Sequence, residues 1–297
     1  MLGILPHALA ALLYGALALH FWRTRWRSQT PREPGIARWE RAAIIVPFAL
    51  HTWILQHELL ALPELRFGFG QALSVTLWLA VLIYWFESLF VNLEGMQAVV
   101  LPVAAISVLL PGLFPGLAMP PYTNTAEFRA HLLLAMLAYG LFLVAALHAL
   151  LMALVERHLH RDSLFGMRRD SQFGPAQRAA PRPGLLAGPL SSLPPLLTLE
   201  RLLFRILALG FVLLTLTLVT GAIFSDELFG KPLRFDHKTL FGILSWVIFG
   251  LLLTGRYRYG WRGRRALRWT LAGFVALLLA YVGSRFVLEV VLGRSLA

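Results

Sequence analysis

The sequence predicts an all-α, polytopic integral membrane protein with about eight transmembrane helices, and two observations support this class. Of the 297 residues, 58% are hydrophobic and 14% are charged, which is typical of chains that cross a bilayer repeatedly. The apolar residues form long runs, and a bilayer core needs roughly 20 such residues per helix. These runs lack the alternation of a barrel strand, so helices must satisfy the backbone polar groups in lipid.

The predicted spans are centred near residues 4–22, 42–59, 67–88, 96–114, 130–155, 202–223, 238–254 and 267–291. We interpret the first as a retained helix rather than a signal peptide, because no Lys or Arg precedes its long apolar run. Pro102 and Pro111 can kink the fourth span. Residues 161–199, rich in Pro, Gly, Ser and Arg, predict a flexible cytoplasmic linker within one integral membrane domain. It separates the first five helices, residues 1–160, from the last three, residues 200–297.

Clusters of arginine orient the helices, since cytoplasmic loops of membrane proteins carry an excess of Lys and Arg. The loops after the first, fifth and seventh spans are rich in arginine, which predicts that both termini lie on the periplasmic side. This placement also accounts for the net charge of +12 without nucleic acid, because no soluble domain is available to read a groove. Cysteine is absent, which excludes thiol exchange, thiolate metal sites and haem attachment through thiols. The arginines are Arg23, Arg25, Arg27, Arg32, Arg38 and Arg41, then Arg157, Arg161, Arg168, Arg169, Arg178 and Arg182, then Arg256, Arg258, Arg262, Arg264 and Arg265.

The predicted outer loop between the sixth and seventh spans, Ser225 to Phe235, mixes aromatic and charged residues with those beside it. Such a mixture can form a shelf at the membrane surface for a flat, amphipathic ligand with carboxylates, such as a porphyrin. The alternative is that these are the ordinary aromatic and charged residues of helix ends. The residues are Phe224, Asp226, Glu227, Phe229, Lys231, Arg234, Phe235, Asp236, His237 and Lys238.

Three segments resemble the CcsA/ResC family of cytochrome c assembly proteins. The stretch Gly221 to Trp246 is similar, without a gap, to the tryptophan-rich haem-handling segment of that family, which reads roughly G-A-x-W…W-G-x-Y-W-x-W-D-P-K-E…T-W. Gly260 to Ala266 is similar to the family's G-W-R-G-R-R-A, and His131 to Leu141 to its H-V-S-x-M-L-L-S-Y-A. Together these segments lie within residues 127–286, a little over half of the chain.

The departures from the pattern indicate a divergent, YpjD/HemX-like branch of the family. Phe224, Phe229, Leu233 and Phe235 replace the tryptophans of the motif, and Thr254 stands where the family has a histidine. The residues after the last helix also lack a family histidine. The resemblance implies a multi-pass protein of the bacterial inner membrane that binds haem b non-covalently, without visible bond-forming catalysis.

Three histidines are the candidate ligands of haem iron, since neutral imidazoles on facing helices can bind it axially. His51 lies about 14 Å from either end of its span at 1.5 Å per residue, where an ionisable group suggests function; the alternative is a neutral histidine bonded across helices. His131 occupies a family position at the outer start of its helix, and its alternative is a solvated side chain. His237 is a candidate by geometry alone. His57 is a weaker outer candidate, and His20 and His148 share only their depth on the inner side.

Polar and aromatic groups complete the predicted cofactor site. Arg234, Lys238 or Arg285 can bind haem propionates, since the guanidinium of Arg matches a carboxylate. The alternative for Arg285 is a pair with Glu289, four residues later on the same helix. The aromatic groups of the site are Phe224, Phe229, Phe235 and Trp246, with Asp236 beside them.

Three functional hypotheses follow. The first is a haem-binding inner-membrane protein of the cytochrome c assembly type that handles or presents haem at the outer face, where other cytochrome assembly or membrane proteins are possible partners. The second is a non-catalytic regulatory or structural protein of the same fold that acts through a protein partner. The third is a transporter of another solute, although neither inverted repeats nor paired broken helices are evident.

Overall fold

The computed structural model describes residues 3–26, 37–60, 65–91, 93, 95–119, 123, 125–170, 196–229 and 237–291. Within these ranges the fold is helical, apart from one short antiparallel pairing of backbone segments. Short π-helical turns at Trp22–Trp26, Leu279–Gly283 and Val287–Val291 continue the helices that they follow. The helices are α1 Ile4–Phe21, α2 Arg38–Leu60, α3 Phe69–Phe90, α4 Gln97–Ser107, α5 Leu110–Leu113, α6 Ala126–Asp170, α7 Leu196–Phe229, α8 His237–Tyr259, α9 Gly263–Leu278 and α10 Ser284–Phe286.

Six described helical segments are long and apolar enough to cross a membrane, which confirms the polytopic membrane class. They are Ile4–Arg25, Phe69–Phe90, Ala126–Arg157, Leu196–Ile223, His237–Tyr259 and Gly263–Phe286. Two further predicted spans differ from these six. Helix α2 has the length of a span but carries several polar side chains, and residues 96–114 divide into the shorter helices α4 and α5. The count of eight and the periplasmic termini therefore remain predictions.

The break between α4 and α5 follows from proline, as the sequence predicts. Pro102 lies inside α4, and the chain turns before Pro111, which occupies the first turn of α5. A proline is tolerated in a first turn because the N–H that it lacks would have no partner inside the helix. The Val108 carbonyl at this turn accepts a hydrogen bond from the His7 side chain of α1.

Helix α6 is the central element of the bundle, packed against α3, α7 and α9. Its side chains around Phe142 are fully buried, and the Phe142 ring stacks on Phe249 of α8 with centroids 3.9 Å apart. A Cβ added at Gly140 would come 2.8 Å from the Leu79 Cβ, so the glycine allows α3 and α6 to approach closely. Small residues bring membrane helices together in this way, and dispersion between their side chains holds the contact.

The two ends of the bundle differ: arginine side chains mark one, and backbone hydrogen bonds join two segments at the other. We call the basic end the one that carries Arg25, Arg41 and Arg256, where α1, α3, α6 and α8 end and α2, α7 and α9 begin. At the opposite end, Phe67 N–H donates to the Leu117 carbonyl at 3.1 Å and Met119 N–H donates to the Leu65 carbonyl at 2.8 Å. These bonds tie the start of α3 to the segment after α5. Gly116 makes this possible, since a Cβ there would lie 2.7 Å from the backbone nitrogen of Gly68.

The predicted linker falls largely outside the described residues. Helix α6 continues to Asp170 and α7 begins at Leu196, so residues 171–195 of the linker are not described. The division of the chain at this point therefore remains a prediction.

Candidate functional site

His51 lies in the middle of α2 and is fully buried, between α1 and α3. Its Nε2 is 2.9 Å from the Ser74 hydroxyl of α3, and its ring meets the Tyr14 ring of α1 edge to face with centroids 5.9 Å apart. Within the described part of the chain, its Nδ1 and the Tyr14 hydroxyl have no hydrogen-bond partner. A buried polar atom without a partner is costly, and these two groups are unsatisfied polar atoms at the contact of α1 and α2.

His7 differs from His51 because a carboxylate lies beside its second ring nitrogen. Its Nδ1 donates to the Val108 carbonyl at 2.7 Å, and its Nε2 lies 3.1 Å from the Glu58 carboxylate. Because a carboxylate faces its Nε2, His7 is placed to pair with Glu58 rather than to offer that nitrogen to a metal. On the same stretch of α2, His57 has a buried Nδ1 without a hydrogen-bond partner among the described residues. His51 and His57 are therefore the histidines of this region with a nitrogen to offer.

His131 lies near the start of α6 and contacts α7. Its Nδ1 is 2.9 Å from the Thr220 hydroxyl, and that hydroxyl in turn donates to the Leu216 carbonyl at 2.8 Å. Because Thr220 gives its hydrogen to the backbone, its oxygen accepts the Nδ1–H of His131, and the lone pair of the ring is on Nε2. This is the tautomer in which histidine commonly ligates a metal while its other nitrogen is held by a second group.

Gly221 provides the space that His131 occupies. A Cβ added at Gly221 would lie 3.2 Å from the His131 Cε1, which is tighter than an ordinary contact. The structure therefore joins two segments that the sequence analysis selected separately, the one that starts at His131 and the one that starts at Gly221.

His237 and Trp246 lie on α8 at different heights. His237 is the first residue of the helix and is exposed. Trp246 is nine residues later, roughly 14 Å along the axis; its indole N–H donates to Thr215 at 2.9 Å and its ring stacks on Phe211 with centroids 5.5 Å apart. This pair closes one end of a groove of about 590 Å³ between α7 and α8 that reaches Thr254 and Arg258.

Arg285 is buried in α10, near the end opposite to the basic one. Its side chain is 3% exposed, its Nη2 lies 3.4 Å from the sulfur of Met119, and its guanidinium lies 5.7 Å from the centre of the Tyr281 ring. The side chain of Glu289 lies outside the described residues, so the predicted pair with Arg285 remains a prediction.

The aromatic shelf predicted from the sequence lies mostly outside the described residues. Phe224 and Phe229 are on α7, but their side chains are not described, and neither are Arg234, Phe235 and Asp236. The three candidate iron ligands are on different elements, His51 on α2, His131 on α6 and His237 on α8. Among the described residues no group of three or more His, Cys, Asp and Glu could hold a metal ion, and the proposed ligand set remains a prediction.

A buried ionic network at the basic end was missed by the sequence analysis. Glu40 at the start of α2 is 1% exposed and accepts hydrogen bonds from Arg25 at 2.6 Å and Ala37 N–H at 2.9 Å. The His20 Nε2 lies 3.0 Å from the other carboxylate oxygen. Although burial opposes ionisation, these bonds from His20, Ala37 and Arg25 hold the pKa of Glu40 below its usual value. The network fastens the end of α1 to the start of α2.

A second missed pair lies between α3 and α6. Glu87 is 11% exposed, and its Oε2 is 3.7 Å from the Nε2 of the fully buried His148. The signal that could have found both features is the presence of ionisable residues on or beside predicted spans, where charge must be paired or functional. His20 and His148, which the sequence placed together only by depth, lie beside different carboxylates.

Comparison with known proteins identifies a family and several relatives. A family model described as Cytochrome C assembly protein matches residues 41–292. The chain is similar to the inner membrane protein YpjD of Escherichia coli K12, with 32% identity over 188 residues, which are 63% of this chain and 62% of that relative. Less than two thirds of that relative is thus covered. Shorter stretches are similar to the cytochrome c biogenesis protein CcsA of Gloeobacter violaceus, 34% identical over 92 residues, 31% of this chain and 27% of the relative. CcsA of Prochlorococcus marinus is 39% identical over 88 residues, 30% of this chain and 28% of the relative.

Proposed function

We propose that this chain, which belongs to the cytochrome c assembly protein family, is a haem-handling protein of the bacterial inner membrane. Its membership and its similarity to YpjD agree with the family and branch predicted from the sequence. The names of the relatives, an inner membrane protein and cytochrome c biogenesis proteins, support both the location and the cofactor.

The observation that carries the proposal is the arrangement of His131 with Thr220 and Gly221. Thr220 accepts the Nδ1–H of His131 and the bare backbone of Gly221 leaves room for the ring. This holds the imidazole in one tautomer and one orientation, which is how proteins commonly support a histidine that ligates a metal. His131 is therefore the outer haem ligand in our proposal, and His237 is the second candidate at that depth.

His51 is the proposed ligand deeper in the bundle. Its burial and the Nδ1 atom without a hydrogen-bond partner suit a haem that lies between helices, with the Ser74 hydroxyl orienting the ring. Haem b is the form proposed, because the chain lacks the cysteines that covalent attachment needs. Bound there, haem would supply an iron centre whose affinity and potential depend on its axial ligands.

The remaining predicted site residues have proposed roles around the porphyrin. Arg285 is buried and suited to a propionate, and Arg234 is a second candidate. Aromatic faces stack on flat ligands, which is the role proposed for the side chains near the α7–α8 connection. These are Phe224, Phe229, Phe235 and Trp246, with Asp236 beside them.

The test is the haem content and absorption spectrum of the detergent-purified protein. We expect haem near one equivalent per chain, with a reduced-minus-oxidised spectrum that changes in His131→Ala and in His51→Ala. The control is His160→Ala, since His160 lies in the arginine-rich segment that follows the fifth predicted span, outside the proposed site. A folded wild type that stays free of haem when haem is supplied would refute the proposal. A stable protein partner in that case would favour the regulatory or structural alternative.

A further inference from the structure

Glu87 and His148 form a buried pair that the proposed haem site does not use. Glu87 is near the end of α3 at the basic end of the bundle, and His148 faces it from α6. The His148 side chain is fully buried and the Glu87 side chain is 11% exposed. Solvent therefore reaches the pair from the glutamate side.

The backbone fixes which nitrogen of His148 faces Glu87. The Nδ1 of His148 lies 2.9 Å from the Val144 carbonyl, and a carbonyl can only accept, so Nδ1 carries a hydrogen. Nε2 then presents a lone pair towards the Glu87 Oε2, 3.7 Å away. Within the described part of the chain neither of these two atoms has a hydrogen-bond partner. If the carboxylate is ionised, two acceptors face each other with no hydrogen between them.

One added proton resolves this conflict. A proton on Nε2 gives an imidazolium beside a carboxylate, and a proton on Glu87 gives a neutral acid beside a neutral imidazole. In both cases the site is neutral overall, whereas without the proton it holds a lone buried negative charge. A lone charge in an apolar interior is strongly disfavoured, so the pair gains one proton as a unit.

The charges on neighbouring elements leave the pair in need of this proton. Tyr84 on α3 has Arg25, Arg41, Glu40 and Glu87 around its hydroxyl, and Arg41 makes no ion pair with Glu87 among the described residues. Three other carboxylates at the basic end each have an arginine partner. They are Glu40 with Arg25 at 2.6 Å, Glu200 with Arg256 at 2.5 Å and Glu156 with Arg264 at 3.4 Å.

We propose that Glu87 and His148 together bind one proton at neutral pH, as a proton site inside the membrane domain that is filled from the basic end. The proton comes from water at that end and goes to the Nε2 or Oε2 atom, with no other bond made or broken. This function does not depend on haem.

The test counts the protons bound by the purified protein in a titration across about pH 5 to 9, a range that lies above the pKa values of ordinary carboxylates and includes those of ordinary imidazoles. We expect Glu87→Gln to bind one proton fewer than the wild type in that range. The double variant Glu87→Gln/His148→Gln should lose the same single proton, because the two groups act as one unit. Glu156→Gln is the matched control, since this glutamate is on the same helix as His148 but is paired with Arg264 and lies outside the Glu87–His148 pair.

Two further variants keep the proposal open to refutation. In His148→Gln the pH at which half of the proton is bound should shift, since the carboxylate has lost its partner. Glu87→Asp replaces Glu87→Gln if the latter does not fold, and it should shift this pH too. The proposal is overturned if Glu87→Gln binds as many protons as the wild type or if the double variant loses two protons. It is also overturned if the pH of half-uptake is the same as in the wild type in both His148→Gln and Glu87→Asp.

Discussion

Substitution of Glu40 by alanine should destabilise the protein far more than loss of a surface ion pair. Glu40 is 1% exposed, and its carboxylate oxygens lie 2.6 Å from the Arg25 guanidinium and 3.0 Å from His20. Removing one partner of a buried ion pair costs about 3–5 kcal/mol, because the other charge stays in the interior. The change also frees the Ala37 N–H that Glu40 accepts at the start of α2.

The matched control is Glu156→Ala, which breaks the pair with Arg264. These side chains are 23% and 60% exposed, and ion pairs of this kind contribute about 0–1 kcal/mol. Thermal unfolding in detergent, followed by circular dichroism, measures both variants. At about 2–4 °C per kcal/mol, we expect Glu40→Ala to lower the apparent Tm by roughly 10 °C and Glu156→Ala by no more than a few degrees. Equal small shifts in the two variants would mean that the basic-end network does not stabilise the fold.

Three further predictions use the same protein. Because the pKa of Glu40 is held below its usual value, its contribution to stability is present at neutral pH and is lost as pH falls through the folded pKa. The Tm difference between wild type and Glu40→Gln should therefore shrink below about pH 4. A constant difference would contradict this. Thr220→Val, which keeps the shape but removes the acceptor of the His131 Nδ1–H, should weaken haem binding about 10–100-fold in a spectroscopic titration, while the neighbouring Thr217→Val should leave it unchanged. Gly116→Ala places a Cβ 2.7 Å from the Gly68 nitrogen and should cost about 1–3 kcal/mol of unfolding free energy, with faster hydrogen exchange at Phe67 and Met119; wild-type exchange at both amides would argue against it.

Hydropathy was sufficient to locate the elements whose faces are mostly apolar. Helices α3, α6, α7 and α8 coincide with long predicted runs, because a segment that faces lipid or apolar neighbours on every side must be hydrophobic all round. The burial of His51 could also be predicted, since its distance from both ends of the span requires it. The proline-dependent break in the fourth span was likewise visible in the residues, through Pro102 and Pro111.

Tertiary partners could not be predicted from the same patterns. Nothing local indicates that His7 donates to the Val108 carbonyl and lies beside Glu58, because Val108 is in the turn after α4, Glu58 is on α2, and the three residues meet only when the bundle forms. The pairing of Glu87 with His148 is of the same kind. Spacing along one chain selected His131 and Gly221 separately, whereas their contact depends on how α6 packs against α7.

The polar character of α2 has a consequence for how the chain enters the bilayer. The helix buries His51 between α1 and α3, and charged or polar residues at membrane depth oppose the insertion of a helix on its own. We expect α2 to insert into the membrane only after α1 has been synthesised, and together with α3. The first three helices would then move from the translocon into the lipid together. The buried polar side chains of α2 would thus determine the order in which these helices enter the membrane.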